Sequence, residues 1–169
     1  MSGENIKDIT AANAHYSASY AEGGLPLPPK RKLAIVTCMD ARLLPAKALG
    51  LYEGDAHVIR NAGGRAKDAL RSIIISQQLL GTEEVIIIHH TDCGMLTFTN
   101  PQLHDILQQR FHGHDVKDID FLTFQDLEQS VRDDVEFLRG SEVISPHIRI
   151  SGWVYEVETG TIRRVSTAN

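Results

Sequence analysis

The chain has 169 residues, of which 42% are hydrophobic, and its formal net charge is -5 at pH 7. This length supports one domain with a sizeable core, and the acidic balance, with no stripe of Lys and Arg among aromatic residues, argues against nucleic acid or an anionic membrane as partner. No apolar run approaches a membrane span and the first thirty residues do not resemble a signal or transit peptide, so we expect a cytoplasmic protein.

The N-terminal region predicts an arm outside the domain. Residues 4–21 are compatible with a weakly amphipathic helix, and the following "EGGLPLPPK" is rich in glycine and proline, which break helices. We therefore divide the chain into an arm and linker at 1–31 and a single α/β domain at 32–169. Because the arm has little of its own to pack on, we expect it to lie on the domain or on a partner subunit, with a frayed tail as the alternative.

The remaining chain alternates between strand-like and helix-like patterns. Strands covered on both faces are predicted for four β-branched runs, at 32–37, 56–60, 84–89 and 147–157. Helices are predicted at 66–81 and 123–140, each with an apolar stripe and a final glycine. This alternation predicts an α/β fold with a central, mostly parallel sheet covered by helices. The C-terminal "GWVYEVETGTIRRV" predicts an antiparallel edge strand that follows a turn at Thr159 and Gly160.

Polar side chains follow three of the predicted strands. The first strand is followed by Cys38, Asp40 and Arg42, the second by Arg60 and Asn61, and the third by His90 and Cys93. In an open parallel sheet, ligands bind outside the carboxyl ends of the strands, where these residues converge. The sequence therefore predicts one functional site at this edge of the sheet.

The segment "HHTDCG" at 89–94 carries the sharpest metal signal. A histidine three residues before a cysteine can close a small chelate, and a thiolate from a neighbouring strand gives the Cys₂His set of a catalytic zinc site, with one position open for water. His89 and His90 point to opposite sides of an extended chain, so only one of them can face the metal. Buried free cysteines and half-buried histidines are the alternative reading.

Three motifs together resemble a known family. "CMDAR" at 38–42, "HVIRNAGG" at 57–64 and "HHTDCG" resemble the β-class carbonic anhydrases, in particular their short microbial branch, from about residue 32 to the end of the chain. The resemblance implies one zinc ion per chain on Cys38, His90 and Cys93, with Asp40 paired to Arg42 beside it. It also implies a homodimer or larger homo-oligomer with the site near the subunit interface.

The resemblance implies an enzyme that uses a metal-bound hydroxide to attack a small O=C=X molecule. Reversible hydration of carbon dioxide to bicarbonate is the expected reaction, and hydrolysis of carbonyl sulfide to hydrogen sulfide and carbon dioxide is the alternative, because the same branch also resembles carbonyl sulfide and carbon disulfide hydrolases. A metal-sensing or redox module is the alternative from another class. Asp40 can orient the hydroxide if Arg42 keeps it ionised; a surface ion pair at a helix start is the other interpretation of this pair.

Further candidate residues surround these motifs. The substrate pocket is expected to include Leu44, Asn61, Gly63, Gly94 and Met95. The glycines of "NAGGRAKD" at 61–68 favour a tight turn between strand and helix over a nucleotide site, because the lysine-ending phosphate loop is missing. His112 and His114 are candidate proton carriers, with a solvated loop as the alternative.

Overall fold

The computed structural model describes residues 3–112 and 115–167. One sheet contains five strands: β1 (Leu33–Cys38), β2 (Ala56–Asn61), β3 (Glu84–His90), β4 (Arg149–Tyr155) and β5 (Ile162–Val165). The helices are α1 (Glu4–Ser17), α2 (Pro45–Leu49), α3 (Ala66–Leu80), α4 (Asn100–Arg110) and α5 (Leu127–Arg139). Within these described ranges, no helix combines the length and apolarity that a membrane crossing requires. The candidate proton carrier His114 lies outside the described residues.

The sheet has the order β2-β1-β3-β4-β5. The first four strands run parallel, and β5 pairs antiparallel with β4, so the predicted fold class is confirmed. Val36 of β1 pairs with both Ile59 of β2 and Ile87 of β3, which brings the carboxyl ends of these strands to one edge. The antiparallel turn includes Gly160, whose φ of 73° is readily adopted by glycine, as the sequence pattern predicted.

The two faces of the sheet are covered differently. Helices α3 and α5 cover one face, where Ala34, Val36, Ile73, Val135 and Leu138 are fully buried. On the other face, Ile35 and Ile88 pack with α2 and the segment after it rather than with a long helix. At the strand ends, the long helices therefore cover one face of the sheet, and loops cover the other face.

Several element boundaries differ from those predicted. Helix α5 begins four residues later than the sequence pattern indicated, because the Asp126 carboxylate caps it by accepting the Gln129 N–H at 2.8 Å. Strand β4 ends at Tyr155, two residues earlier than predicted, where the chain turns toward β5. Helices α2 and α4 were not predicted. The capping box of Thr99 and Gln102 marks the start of α4 in the sequence, but the apolar residues of this helix are few and none of them is fully buried.

The N-terminal arm touches the domain through its linker. Helix α1 has no buried residue, whereas Lys30 and Arg31 donate backbone hydrogen bonds to Gly54 and Asp55. The helix thus lies outside the core of its own chain, and the division at residue 32 stays a prediction.

Candidate metal centre

Three side chains that can bind a metal meet at the carboxyl edge of the sheet. Cys38 ends β1, His90 ends β3, and Cys93 follows in the next turn. One ligand atom from each lies within 4.8 Å of the others, and all three residues are buried with both thiols free. The parallel pairing of β1 with β3 produces this meeting, since it places the ends of the two strands side by side.

The His90 ring is fixed in the form that a metal requires. Its Nδ1 donates to the Thr91 carbonyl at 2.8 Å, so the proton is on Nδ1 and the Nε2 lone pair is free. This Nε2 is buried, and no hydrogen-bond partner exists for it in the described part of the chain. A buried imidazole nitrogen with a free lone pair beside two thiols matches the donors of a Cys₂His zinc site, so the residues fit zinc.

The two thiols share one proton. A hydrogen bond from Cys93 lowers the pKa of Cys38 to about 4, although burial opposes the shift. The same bond raises the pKa of Cys93, which keeps the shared proton. The site thus stabilises a thiolate at neutral pH, and the thiolate is the form of cysteine that binds metals.

Asp40 and Arg42 form a two-pronged ion pair beside these donors. Arg42 Nε donates to Asp40 Oδ1 at 3.0 Å and Nη2 donates to Oδ2 at 2.8 Å. These bonds, with one from the Arg42 backbone N–H, hold the pKa of the Asp40 carboxyl well below its usual range. Asp40 Oδ2 lies 3.8 Å from His90 Nε2, so an ionised carboxylate faces the metal-binding set.

Two charged residues that sequence reasoning gave no role also hold this loop. Arg60 donates to the carbonyls of Cys38 and Asp40 at 3.0 and 2.7 Å. Asp92 accepts from Arg42 through its side chain and its own carbonyl. The position of Arg60 at a strand end was a signal in the sequence, whereas Asp92 was hidden inside the "HHTDCG" motif.

A buried polar network lies behind the site on the helix-covered face. His89 Nε2 is 3.2 Å from both Asp134 Oδ2 and the Gly64 carbonyl, and Nδ1 is 2.7 Å from Ser130 Oγ. Arg65 donates to both carboxylate oxygens of Asp134 at 2.9 and 3.0 Å. Burial raises the pKa of Asp134, but the bonds from His89 and Arg65 outweigh it and the net shift is downward.

The glycine-bearing turn fits tightly against β1. Gly63 and Gly64 adopt φ values of 77° and 69°, and a Cβ on Gly64 would stand 2.9 Å from the carbonyl carbon of Thr37. The Asn61 side chain closes the turn through two hydrogen bonds with the Arg65 backbone. This segment is thus the tight strand-to-helix turn that the sequence favoured.

A cavity of about 530 Å³ opens onto Cys38, Asp40 and Cys93. Most of its other walls are apolar or small: Met39, Ala62, Gly63, Gly94, Met95, Thr97, Phe98, Leu103 and Phe121. Three of the expected pocket residues, Gly63, Gly94 and Met95, therefore line it.

Two expected pocket residues lie elsewhere. Leu44 is 60% exposed and borders a crevice with Leu43 and Ala48, because the loop after β1 turns away from the cavity before α2. Asn61 is used inside the glycine turn, as described above. The candidate proton carrier His112 is exposed beyond the end of α4 and is not among the cavity walls.

Comparison with known proteins identifies the family. The family model for carbonic anhydrase matches residues 33–162. The β-carbonic anhydrase 1 of Mycobacterium tuberculosis is 40% identical over 160 residues, which cover 94% of this chain and 96% of that protein. This chain belongs to the β-carbonic anhydrase family.

A solved structure and a further relative agree with this membership of the β-carbonic anhydrase family. A carbonic anhydrase from Glaciozyma antarctica is 54% identical, with a TM-score of 0.88 and coverage of 93% of this chain and 95% of that one. The carbon disulfide hydrolase of Acidithiobacillus thiooxidans is also similar, at 37% identity over 158 residues, which cover 81% of this chain and 78% of that protein. The family resemblance inferred from the three motifs is thus confirmed.

Proposed function

We propose that this chain catalyses the reversible hydration of carbon dioxide to bicarbonate, with one zinc ion per chain. The observation that carries the proposal is the buried Cys38, His90 and Cys93 cluster, which holds a free imidazole nitrogen. The two cysteines of this cluster and the ionised Asp40 beside it line one largely apolar cavity. Zinc bound there would acidify a water molecule and so supply a nucleophile at neutral pH. Cys38 and Cys93 would hold the ion as thiolates and His90 through Nε2.

Asp40 is proposed to orient the attacking water. Because Arg42 holds both of its oxygens, the carboxylate stays ionised and accepts hydrogen bonds only. A water that donates one O–H to Asp40 turns a lone pair toward the cavity, where carbon dioxide would lie. Asp40 would thus orient the attacking water and would not remove its proton, since the lowered pKa of this carboxyl makes it a poor base.

The cavity walls suit a small apolar substrate. Met95, Phe98 and Phe121 offer no hydrogen bond that would hold water in place of carbon dioxide. The same walls would also accept carbonyl sulfide or carbon disulfide, and the similarity to carbon disulfide hydrolases favours these as the second candidate substrates. Comparing kcat/KM for carbon dioxide, carbonyl sulfide and carbon disulfide on one preparation separates the candidates, and we expect the largest value for carbon dioxide.

Metal analysis and gas turnover test the proposal directly. We expect about one zinc per chain by atomic absorption and rapid carbon dioxide hydration by stopped flow with a pH indicator. Cys38→Ser should lose both, because a serine hydroxyl does not ionise to match a thiolate. A zinc-free chain with two reversibly oxidised thiols and no turnover of any of the three gases would favour a redox or metal-sensing module instead.

We also propose a cytoplasmic homodimer or larger homo-oligomer. Helix α1 carries exposed Ile6, Ile9 and Tyr16 and buries none of them on its own chain, so a second copy is the natural surface for it. Light scattering on the full chain would test this assembly.

A further inference from the structure

The Arg42 guanidinium is held by two carboxylates that come from different loops. Nε and Nη2 contact Asp40, which lies two residues before Arg42 in the loop after β1. On the other side, Nη1 donates to Asp92 Oδ2 at 2.6 Å, and Nη2 also donates to the Asp92 carbonyl at 2.9 Å. All three guanidinium nitrogens therefore have acceptors, and Asp92 supplies two of the four.

The backbone of Asp92 is shaped for this contact. Its φ is 54°, in the left-handed region that favours glycine, with Asn and Asp as the most tolerant other residues. In this conformation the carbonyl and the carboxylate of one residue both reach Arg42. The Asp92 side chain is 81% exposed, so burial does not hold it in place. Its ion pair with Arg42 is the contact that fixes its position.

Arg42 needs such support because it is itself 45% exposed. An exposed arginine loses side-chain entropy when it is fixed in one rotamer, and a single ion pair at the surface repays little of that loss. Contacts on both edges of the guanidinium restrict it to one orientation, in which it donates two hydrogen bonds to Asp40.

We propose that Asp92 is a positioning residue that clamps Arg42 against Asp40 and so keeps the Asp40 carboxylate from moving onto the metal. The proposal rests on the proposed function. Asp40 Oδ2 is already 3.8 Å from the metal-facing nitrogen of His90, so release by Arg42 would let the carboxylate join the ligand set. Asp92 thus acts on the reaction only through Arg42 and Asp40.

Two substitutions separate the side chain of Asp92 from its backbone. Asp92→Gly keeps the left-handed conformation and the carbonyl contact but removes the carboxylate, whereas Asp92→Asn keeps both the conformation and a side-chain acceptor. We expect about a tenfold fall in kcat for Asp92→Gly, with KM and zinc content unchanged, and partial rescue in Asp92→Asn. Glu158→Gln is the matched control, because Glu158 carries the same charge as Asp92 and lines the same surface cleft as Asp92 and Arg42. This variant should leave kcat at the parent value.

A second readout follows Arg42 itself in the zinc-loaded full chain labelled with ¹⁵N arginine. Arg42→Lys identifies the Arg42 signals; in the parent they should show hindered rotation about the Nε–Cζ bond, which Asp92→Gly should release. Parental kcat in Asp92→Gly, or lowered kcat with unchanged Arg42 signals, would overturn the clamp. If the parent does not hydrate carbon dioxide, the proposed function fails, but the Arg42 signals still decide the clamp.

Discussion

The imidazoles of the consecutive residues His89 and His90 lie on opposite faces of strand β3. His90 faces Cys38 in the candidate metal centre, while His89 faces Asp134 and Ser130 of α5. This arrangement follows from the two-residue period of a strand, which sends neighbouring side chains to opposite sides. The two rings therefore lie in separate environments, one in the candidate metal centre and one in the packing of the sheet.

Substitution of each histidine should distinguish these two environments. His90→Ala should abolish zinc retention and turnover together, as should alanine at Cys38 or Cys93. His89→Ala should keep the zinc but lower the free energy of unfolding by about 3 kcal/mol, because it breaks a buried hydrogen-bonded network. Atomic absorption and urea unfolding measure the two effects. Stoichiometric zinc and full activity in His90→Ala would refute the ligand assignment.

The Asp40 and Arg42 pair should govern turnover without governing metal content. Arg42→Ala should free Asp40 to close on the metal, and Asp40→Ala should leave the attacking water poorly oriented. We expect kcat to fall by about 10- to 100-fold in each variant, with zinc unchanged. Stopped-flow hydration together with metal analysis checks this. An Arg42→Ala enzyme as active as the parent would mean that the pair is only a surface ion pair.

Activity should rise from mildly acidic to alkaline pH. Two thiolates neutralise much of the charge of a zinc ion, so the pKa of its water should be higher than with three imidazole ligands. Asp40 cannot produce the rise, because its pKa lies well below its usual range and it is already ionised in mild acid. The measurement is kcat/KM for carbon dioxide from about pH 6 to pH 9. A flat profile would contradict this account.

Asp134 should contribute stability that disappears in acid. Its pKa in the folded chain is lowered, so its contribution is complete above the unfolded value near 3.9 and is lost as the pH falls through the folded value. At pH 7, Asp134→Asn should lower the free energy of unfolding by about 3 kcal/mol, because the largely buried Arg65 is left without its charged partner. The difference in free energy of unfolding between parent and variant should narrow below about pH 4. A difference that stayed constant across that range would exclude an ionised Asp134.

Gly64 should be far less replaceable than Gly81, although both have positive φ. A Cβ on Gly64 would meet the Thr37 backbone, whereas nothing lies within 4 Å of one on Gly81. We expect Gly64→Ala to cost about 3 kcal/mol and Gly81→Ala about 1 kcal/mol, since only the former adds a clash to the strain of the left-handed conformation. Urea unfolding of the two variants measures the two losses in the free energy of unfolding. Equal losses would show that β1 shifts easily to make room for a Cβ at residue 64.

The sequence predicted the structure best where a regular hydrophobic pattern ended at residues with metal-binding side chains. β-Branched runs located the first four strands to within two residues at each end, and the strand-end rule for parallel sheets brought Cys38, His90 and Cys93 together. These inferences worked because strand period and topology decide them, and neither depends on fine backbone detail.

Contacts set by single backbone angles or by distant elements could not be predicted. Asp92 reaches Arg42 because of one left-handed residue, and Asp134 comes from a helix far along the chain. Leu44 lies away from the cavity because an apolar residue after a strand can turn to either face, and the local sequence does not determine which. Helix α4 was missed because only three of its residues, Leu103, Ile106 and Leu107, follow an apolar helical period, which is a short and weak pattern.

The division of the metal-binding set between β1 and β3 also bears on the order of events in folding. Cys38 and His90 are separated by about fifty residues that include β2 and α3, and parallel pairing of this kind forms slowly. Of the three candidate ligands, only His90 and Cys93 lie close together in an unfolded chain, and two ligands form a weak chelate. The complete set exists only once β1 lies beside β3. Zinc would therefore enter late, slowing the unfolding of the finished sheet without speeding its formation.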